Sequence, residues 1–169
     1  MVSITNETKD RLNKVPARYK KFINPKVYDP TNKAYTAVIL ASEQNARTKT
    51  GYQNREKMLD AAVRAIISLQ KPMYAAWNLM GTEDGAIQRW TERYNKEIAL
   101  LWGVLKRPKE EQPVFIALPK TKMKRLAFLK TMSELHKYTY EKIGHAPEYC
   151  KDTLSNRIAD FIDTALYEV

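Results

Sequence analysis

The chain has one cysteine, Cys150, in 169 residues. It can form no disulfide within itself, which suits a reducing compartment. Glycine is scarce, at five residues, and no glycine-rich phosphate loop or G-x-S-x-G turn occurs. Gly81 and Gly85 flank Thr-Glu-Asp, which a helix cap explains. Histidine is limited to His136 and His145, and neither stands in H-E-x-x-H or at zinc-ligand spacing with cysteine. No metal or other cofactor is therefore expected. His145 and Cys150 are close in sequence but have no evident orienting partner, so a helix-end histidine and a part-buried thiol is the plain reading. The acids are dispersed: Glu92 with Lys96 is an ordinary i,i+4 pair, and Glu110-Glu111 reads as a solvated linker. These absences leave no catalytic constellation, and the chain is expected not to be an enzyme. Long apolar runs are missing too. Nothing approaches the roughly 20 residues that span a bilayer, and the opening MVSITNETKDRLNK lacks the apolar centre of a signal peptide. No membrane partner is expected, and the expected location is cytoplasmic or virion-associated.

What is abundant is positive charge. The formal net charge is +10, which attracts polyanions. The hydrophobic content of 44% is ordinary for a globule, and the length suits one domain over residues 1–169.

The patterning is helical. Residues 3–14 suit a short polar helix. Pro16, Pro25 and Pro30 then punctuate VPARYKKFINPKVYDP, which reads as an extended or bent basic arm ending near residue 28. Asp29-Pro30 suits a helix start, and a helix to about Lys49 shows Ala34, Val38, Ala41 and Asn45 on one face. Thr50 can cap a helix over 51–80, bent or divided at Pro72. Gly81-Thr82 breaks the chain before a helix over 83–106 with Ile87, Trp90, Tyr94, Ile98, Leu101 and Leu105 as its apolar stripe. A linker, RPKEEQPVFIALP, is expected to lie extended over the bundle. A basic helix over 120–143 and a last helix over 147–167 follow, the latter with Leu154, Ile158, Phe161 and Ala165 inward. The fold expected is all-α: an antiparallel bundle of about four long helices, with an N-terminal arm, a short extra helix and a C-terminal helical extension over 108–169.

Three basic clusters are candidates for nucleic-acid binding. The arm holds Arg18, Lys20 and Lys21, with Lys14 before them and Tyr19 and Phe22 interleaved. The second cluster holds Arg47, Lys49 and Arg55, with Lys57 beyond. The third holds Lys120, Lys122, Lys124 and Arg125, followed by Lys130. Cations meet phosphates while aromatic rings stack on bases, although a solvated helix face explains any one cluster alone. The last helix is acidic, with Glu148, Asp152, Asp160, Asp163 and Glu168, and offers a face to a basic second subunit. Trp77, Trp90 and Trp102 suit core packing, with Trp102 placed to point at a subunit interface.

The segments PARYKKF, ILASEQNARTKTGYQNREKMLDAAVRAI and IQRWTERYNKEIALLWGVLKR follow one order. That order resembles the four-helix-bundle accessory proteins of diversity-generating retroelements, the accessory variability determinant (Avd-like) group, and the related bundle proteins of ribosomal-RNA intervening sequences. Pro16, Arg18 and Tyr19 match the family's first element; Ala41, Asn45 and Arg47 the second; Arg55, Asp60 and Ala61 the third; and Arg89, Trp90 and Trp102 the last. The likeness covers residues 15–107. It implies a ring-like homo-oligomer, a pentamer in that family, which binds a reverse transcriptase and its template RNA through a basic surface. The helix before Pro16 is shorter than the family pattern, and residues 108–169 exceed it. The expected function is a non-catalytic RNA-binding accessory subunit, RNA being favoured over DNA. The alternative is a structural or interaction protein of a phage particle, or a helical small subunit of an RNA-guided complex.

Overall fold

The computed structural model describes residues 1–81, 84–115, 127–150 and 154–168. Every long element is a helix: α1 (Val2–Leu12), α2 (Ala17–Glu43), α3 (Lys49–Ile67), α4 (Gln70–Met80), α5 (Asp84–Val104), α6 (Ala127–Gly144) and α7 (Asn156–Glu168). Single helical turns lie at Lys109–Glu111 and Glu148–Cys150, and no strand occurs among the described residues. The all-α expectation holds, with more and shorter helices than the four expected.

The spine is α2, and here the structure corrects the sequence reading. No extended arm precedes residue 28: α1 is helical, and α2 begins at Ala17 and runs through both Pro25 and Pro30. Each proline removes one backbone hydrogen bond and costs about 3 kcal/mol in a helix interior. The helix survives because its inner face buries Tyr19, Phe22, Ile23, Val27, Thr31 and Ala34 at steps of three and four, spanning both prolines. Burial of a large apolar side chain contributes about 1.5–3 kcal/mol each, enough to offset the break. Pro25 itself is exposed, on the side where a bend costs least packing.

The α2–α3 hairpin is the most extensive helix pair. Both helices bury small residues, Ala34 and Ala41 on α2 and Ala62 on α3, beside Leu59, Val63 and Ile66. The cap of α3 is Thr48, not Thr50: its Oγ1 accepts the Gly51 N–H at 3.1 Å. Gly51 is buried where the turn folds back on itself, and a Cβ there would overlap the Asn45 carbonyl oxygen and press on Thr48 Oγ1. Gly51→Ala is therefore expected to destabilise the chain by roughly 1–3 kcal/mol through overpacking, despite alanine's better helix propensity. Urea unfolding at neutral pH would measure this, and a variant as stable as the parent would refute it.

The expected helix over 51–80 is divided near Pro72, as its proline suggests. The break falls at Ser68-Leu69, and Pro72 occupies the first turn of α4, where a missing N–H is tolerated. Gly81 ends α4 with φ +66, a left-handed cap that glycine adopts without strain. Beyond the hairpin, α5 packs on α3 and α1, while α4, α6 and α7 gather around one another and α2. After α5 and its following turn, Gln112 is extended and residues 112–115 form no helix or strand. Asn95 clamps Phe115 there, accepting its N–H at 2.7 Å and donating to its carbonyl at 3.1 Å. The rest of that apolar segment lies outside the described residues.

The last helix is turned from its expected orientation. Leu154, Ile158 and Phe161 are exposed, Phe161 by 75%, and Ala165 is half-buried. The face packed inward is Ala159, Ile162, Asp163 and Leu166. This helix has apolar residues on two faces, and a buried carboxylate decides which one turns in.

Candidate nucleic-acid interface

That carboxylate anchors a buried polar cluster which the sequence reading missed. Asp163 Oδ1 meets His136 Nε2 at 3.0 Å and accepts from Tyr140 Oη at 2.9 Å, while Oδ2 accepts from Lys26 Nζ at 2.8 Å. His136 is fully buried, and its Nδ1 meets Asn78 Nδ2 at 3.1 Å. Asn78 Oδ1 in turn accepts from Ser133 Oγ at 2.6 Å. This pattern is complete for a ring that carries its proton on Nε2 and accepts at Nδ1. Burial alone would raise the Asp163 pKa, but the His136 hydrogen bond and the Lys26 ammonium outweigh it and hold the carboxyl below its ordinary range. Burial, with the Asp163 carboxylate beside it, pushes the Tyr140 hydroxyl well above its ordinary value, so it stays a donor. His136 and Tyr140 lie one turn apart on α6, and that spacing was the available signal. The cluster ties α2, α4, α6 and α7 together and lines neither of the grooves described below. Its chemistry is that of a clamp.

Of the acidic residues named for the C-terminal region, Glu148, Asp160, Asp163 and Glu168 are paired within the chain, and Asp152 lies outside the described residues. Lys21 meets Glu148 at 2.7 Å, Lys26 bridges Asp160 and Asp163 at 2.8 Å each, and Lys71 meets Glu168 at 2.9 Å.

The first basic cluster is only partly available. Arg18 and Lys21 are exposed and Lys20 half-buried. Lys21 is ion-paired, and the Arg18 guanidinium sits 4.8 Å from the Tyr19 ring centre. Tyr19 and Phe22 are buried edge-on against Tyr140, at 5.9 and 6.3 Å, so neither ring is free to stack on a base. The length of α2 separates this cluster from Arg47 by roughly 40 Å. The third cluster, Lys120, Lys122, Lys124 and Arg125, lies outside the described residues.

The second cluster forms a basic pole. The α2–α3 turn carries Arg47 and Lys49, the first turns of α3 carry Tyr52, Arg55 and Lys57, and the end of α5 brings Lys106 alongside. Among the described residues none of Arg47, Lys49, Arg55, Lys57 or Lys106 forms an ion pair, whereas neighbouring Arg64 and Arg107 both pair with Asp60. Tyr52 is 51% exposed. Together with Arg55, Glu56, Leu59, Val104, Leu105 and Lys106 it lines an open groove of about 330 Å³. A second groove, of about 360 Å³ between α1 and α2, mixes Lys9 with Asp29 and has less to offer an anion. Lys106 is the one described non-glycine residue with positive φ, at 52°. Its N–H reaches the Gly103 carbonyl at 3.1 Å and the Arg107 N–H reaches Trp102 at 3.3 Å, the paired bonds of a left-handed helix cap. Arg47 and Lys49 lie on the turn and Arg55 on the first turns of α3, while Tyr52 and Lys106, which also border the groove, were not among the residues expected from the sequence. The indole of Trp102, expected to point at a subunit interface, is buried under its own linker and donates to the Pro108 carbonyl at 2.8 Å.

Among the described residues no group of histidine, cysteine or acidic side chains is placed to hold a metal ion. His145 is exposed and Cys150 half-buried. No described helix is long and apolar enough to cross a membrane. Comparison with protein-family models, with curated proteins and with solved structures finds no match.

Proposed function

We propose that the chain is a non-catalytic RNA-binding accessory subunit that works with a protein partner. One observation carries this reading: Arg47, Lys49, Arg55, Lys57 and Lys106 gather at one end of the bundle around an exposed tyrosine, with no acidic partner among the described residues, whereas Lys21, Lys26, Lys71 and Arg107 are ion-paired. Uncompensated cations around an exposed tyrosine suit phosphates and bases together. The resemblance to retroelement accessory bundles adds a reverse transcriptase and a homo-oligomer to the proposal. A salt titration of RNA binding tests it. If four of the five cations each meet a phosphate, log K against log salt has a slope of about −2.8 on a single strand. Absence of binding at low salt, or a flat titration, would sink the reading.

Lys106 gives an independent check. A left-handed conformation costs a non-glycine residue about 1–2 kcal/mol, part of which glycine gives back through chain entropy. Lys106→Gly is expected to raise the melting temperature by roughly 1–3 °C and to weaken RNA binding several-fold. A variant that is more stable and binds equally well would remove Lys106 from the interface.

A second reading, a structural or interaction protein of a particle or an RNA-guided complex, is favoured by the exposed row Leu154, Ile158 and Phe161. Neighbouring genes separate the two. A reverse transcriptase with template and variable repeats supports the first, and capsid or effector genes the second.

A further inference from the structure

Lysine and arginine at the pole account for affinity to any polyanion, but not for the groove they surround. Its lining includes the buried Leu59 and Leu105, the half-exposed Tyr52, and the cations Arg55 and Lys106. A phosphate alone has no use for an apolar lining. Its volume of about 330 Å³ is at the small end of ligand sites, which span roughly 300–1,000 Å³, and suits one compact planar group rather than an extended ligand. Glu56 adds a carboxylate acceptor to the lining, which is adverse to a phosphate and suited to the N–H edge of a base. Lys106 is held at the groove by a backbone conformation that glycine would adopt more cheaply.

From these features we infer that the groove receives one unpaired nucleotide, its base packed on Tyr52 and the two leucines and its phosphate between Arg55 and Lys106. The inference rests on the RNA-binding reading and deepens it: the ligand class is single-stranded RNA with an accessible base. A duplex presents its phosphates but keeps its base faces stacked, so it would engage the cations and leave the groove empty.

The test compares three probes at one salt concentration: a ten-nucleotide oligoadenylate, an abasic strand of equal length and a duplex. The chain is expected to bind the oligoadenylate about tenfold more tightly than the abasic strand. Tyr52→Ala is expected to bring the two to the same level with no change in salt slope, whereas Tyr52→Phe keeps the difference. Circular dichroism of each variant checks that the fold is retained. Equal affinity of the unaltered chain for abasic and base-bearing strands would overturn the nucleotide site and leave the electrostatic reading standing. So would a Tyr52→Ala variant that loses affinity for both strands alike. Absence of binding to all three probes at low salt overturns both together.

Discussion

Neutralising Arg47, Lys49 and Arg55 together, each to glutamine, is expected to lower single-stranded RNA affinity about 100-fold at 0.1 M salt. Each phosphate contact on a single strand contributes about 0.7 to the slope of log K against log salt. At a tenfold dilution from 1 M, three lost contacts remove about two logarithmic units. The slope itself should become shallower by about 2. Stability should hardly move, because Arg47 and Lys49 are exposed and none of the three forms an ion pair among the described residues. Filter binding across a salt series, with thermal melts of the same samples, measures both quantities. A triple variant that keeps its affinity and slope would exclude the pole as the RNA surface. The matching change at Arg18, Lys20 and Lys21 makes a control, since that cluster lies at the far end of α2 and is already engaged in part.

The second large effect belongs to the clamp. Asp163→Ala leaves His136 and Tyr140 without their acceptor and Lys26 with Asp160 alone, and breaking a buried charge pair typically costs about 3–5 kcal/mol. The pH dependence has a definite sign. Asp163 has a lowered pKa in the folded chain, so its contribution is fully present above the unfolded carboxylate value of about 3.9. It is lost as pH falls below that, through the folded value. Asp163→Asn removes this linkage. The difference in unfolding free energy between parent and Asp163→Asn should therefore be largest at neutral pH and shrink as the pH drops below about 4. Urea unfolding at pH 7 and at pH 3 decides it: a difference that stays constant would show that the carboxylate is not the group responsible.

Helical periodicity was legible wherever one face of a helix is apolar and the other polar. The stripe from Ile87 to Leu105 on α5 is the plainest case, and nearly all of it is buried as expected. It failed where two signals conflicted. Prolines outweighed the spacing of Tyr19, Phe22, Ile23 and Val27, although a buried stripe sustains a helix through them. The two apolar faces of α7 could not be ranked by hydrophobicity, because the buried face includes a charged residue whose partners come from α2 and α6. The same holds for the site. Arg47, Lys49 and Arg55 are near neighbours in sequence and were found as a cluster. Lys106 joins them only through the packing of α5 on α3, and nothing in its own surroundings marks it.

The Lys26–Asp163 contact joins positions 137 residues apart. At a ribosomal rate of about 5–20 residues per second, the interval between synthesis of the two is roughly 7–27 s. The α2–α3 hairpin closes through local contacts well within that time. The face of α4 that packs on α7 and the Lys26 ammonium nonetheless wait for that helix. The nascent chain thus passes through a period in which an apolar face of α4 lacks its final cover. Early termination before α7 would leave a product already able to display the basic pole but not to close its core.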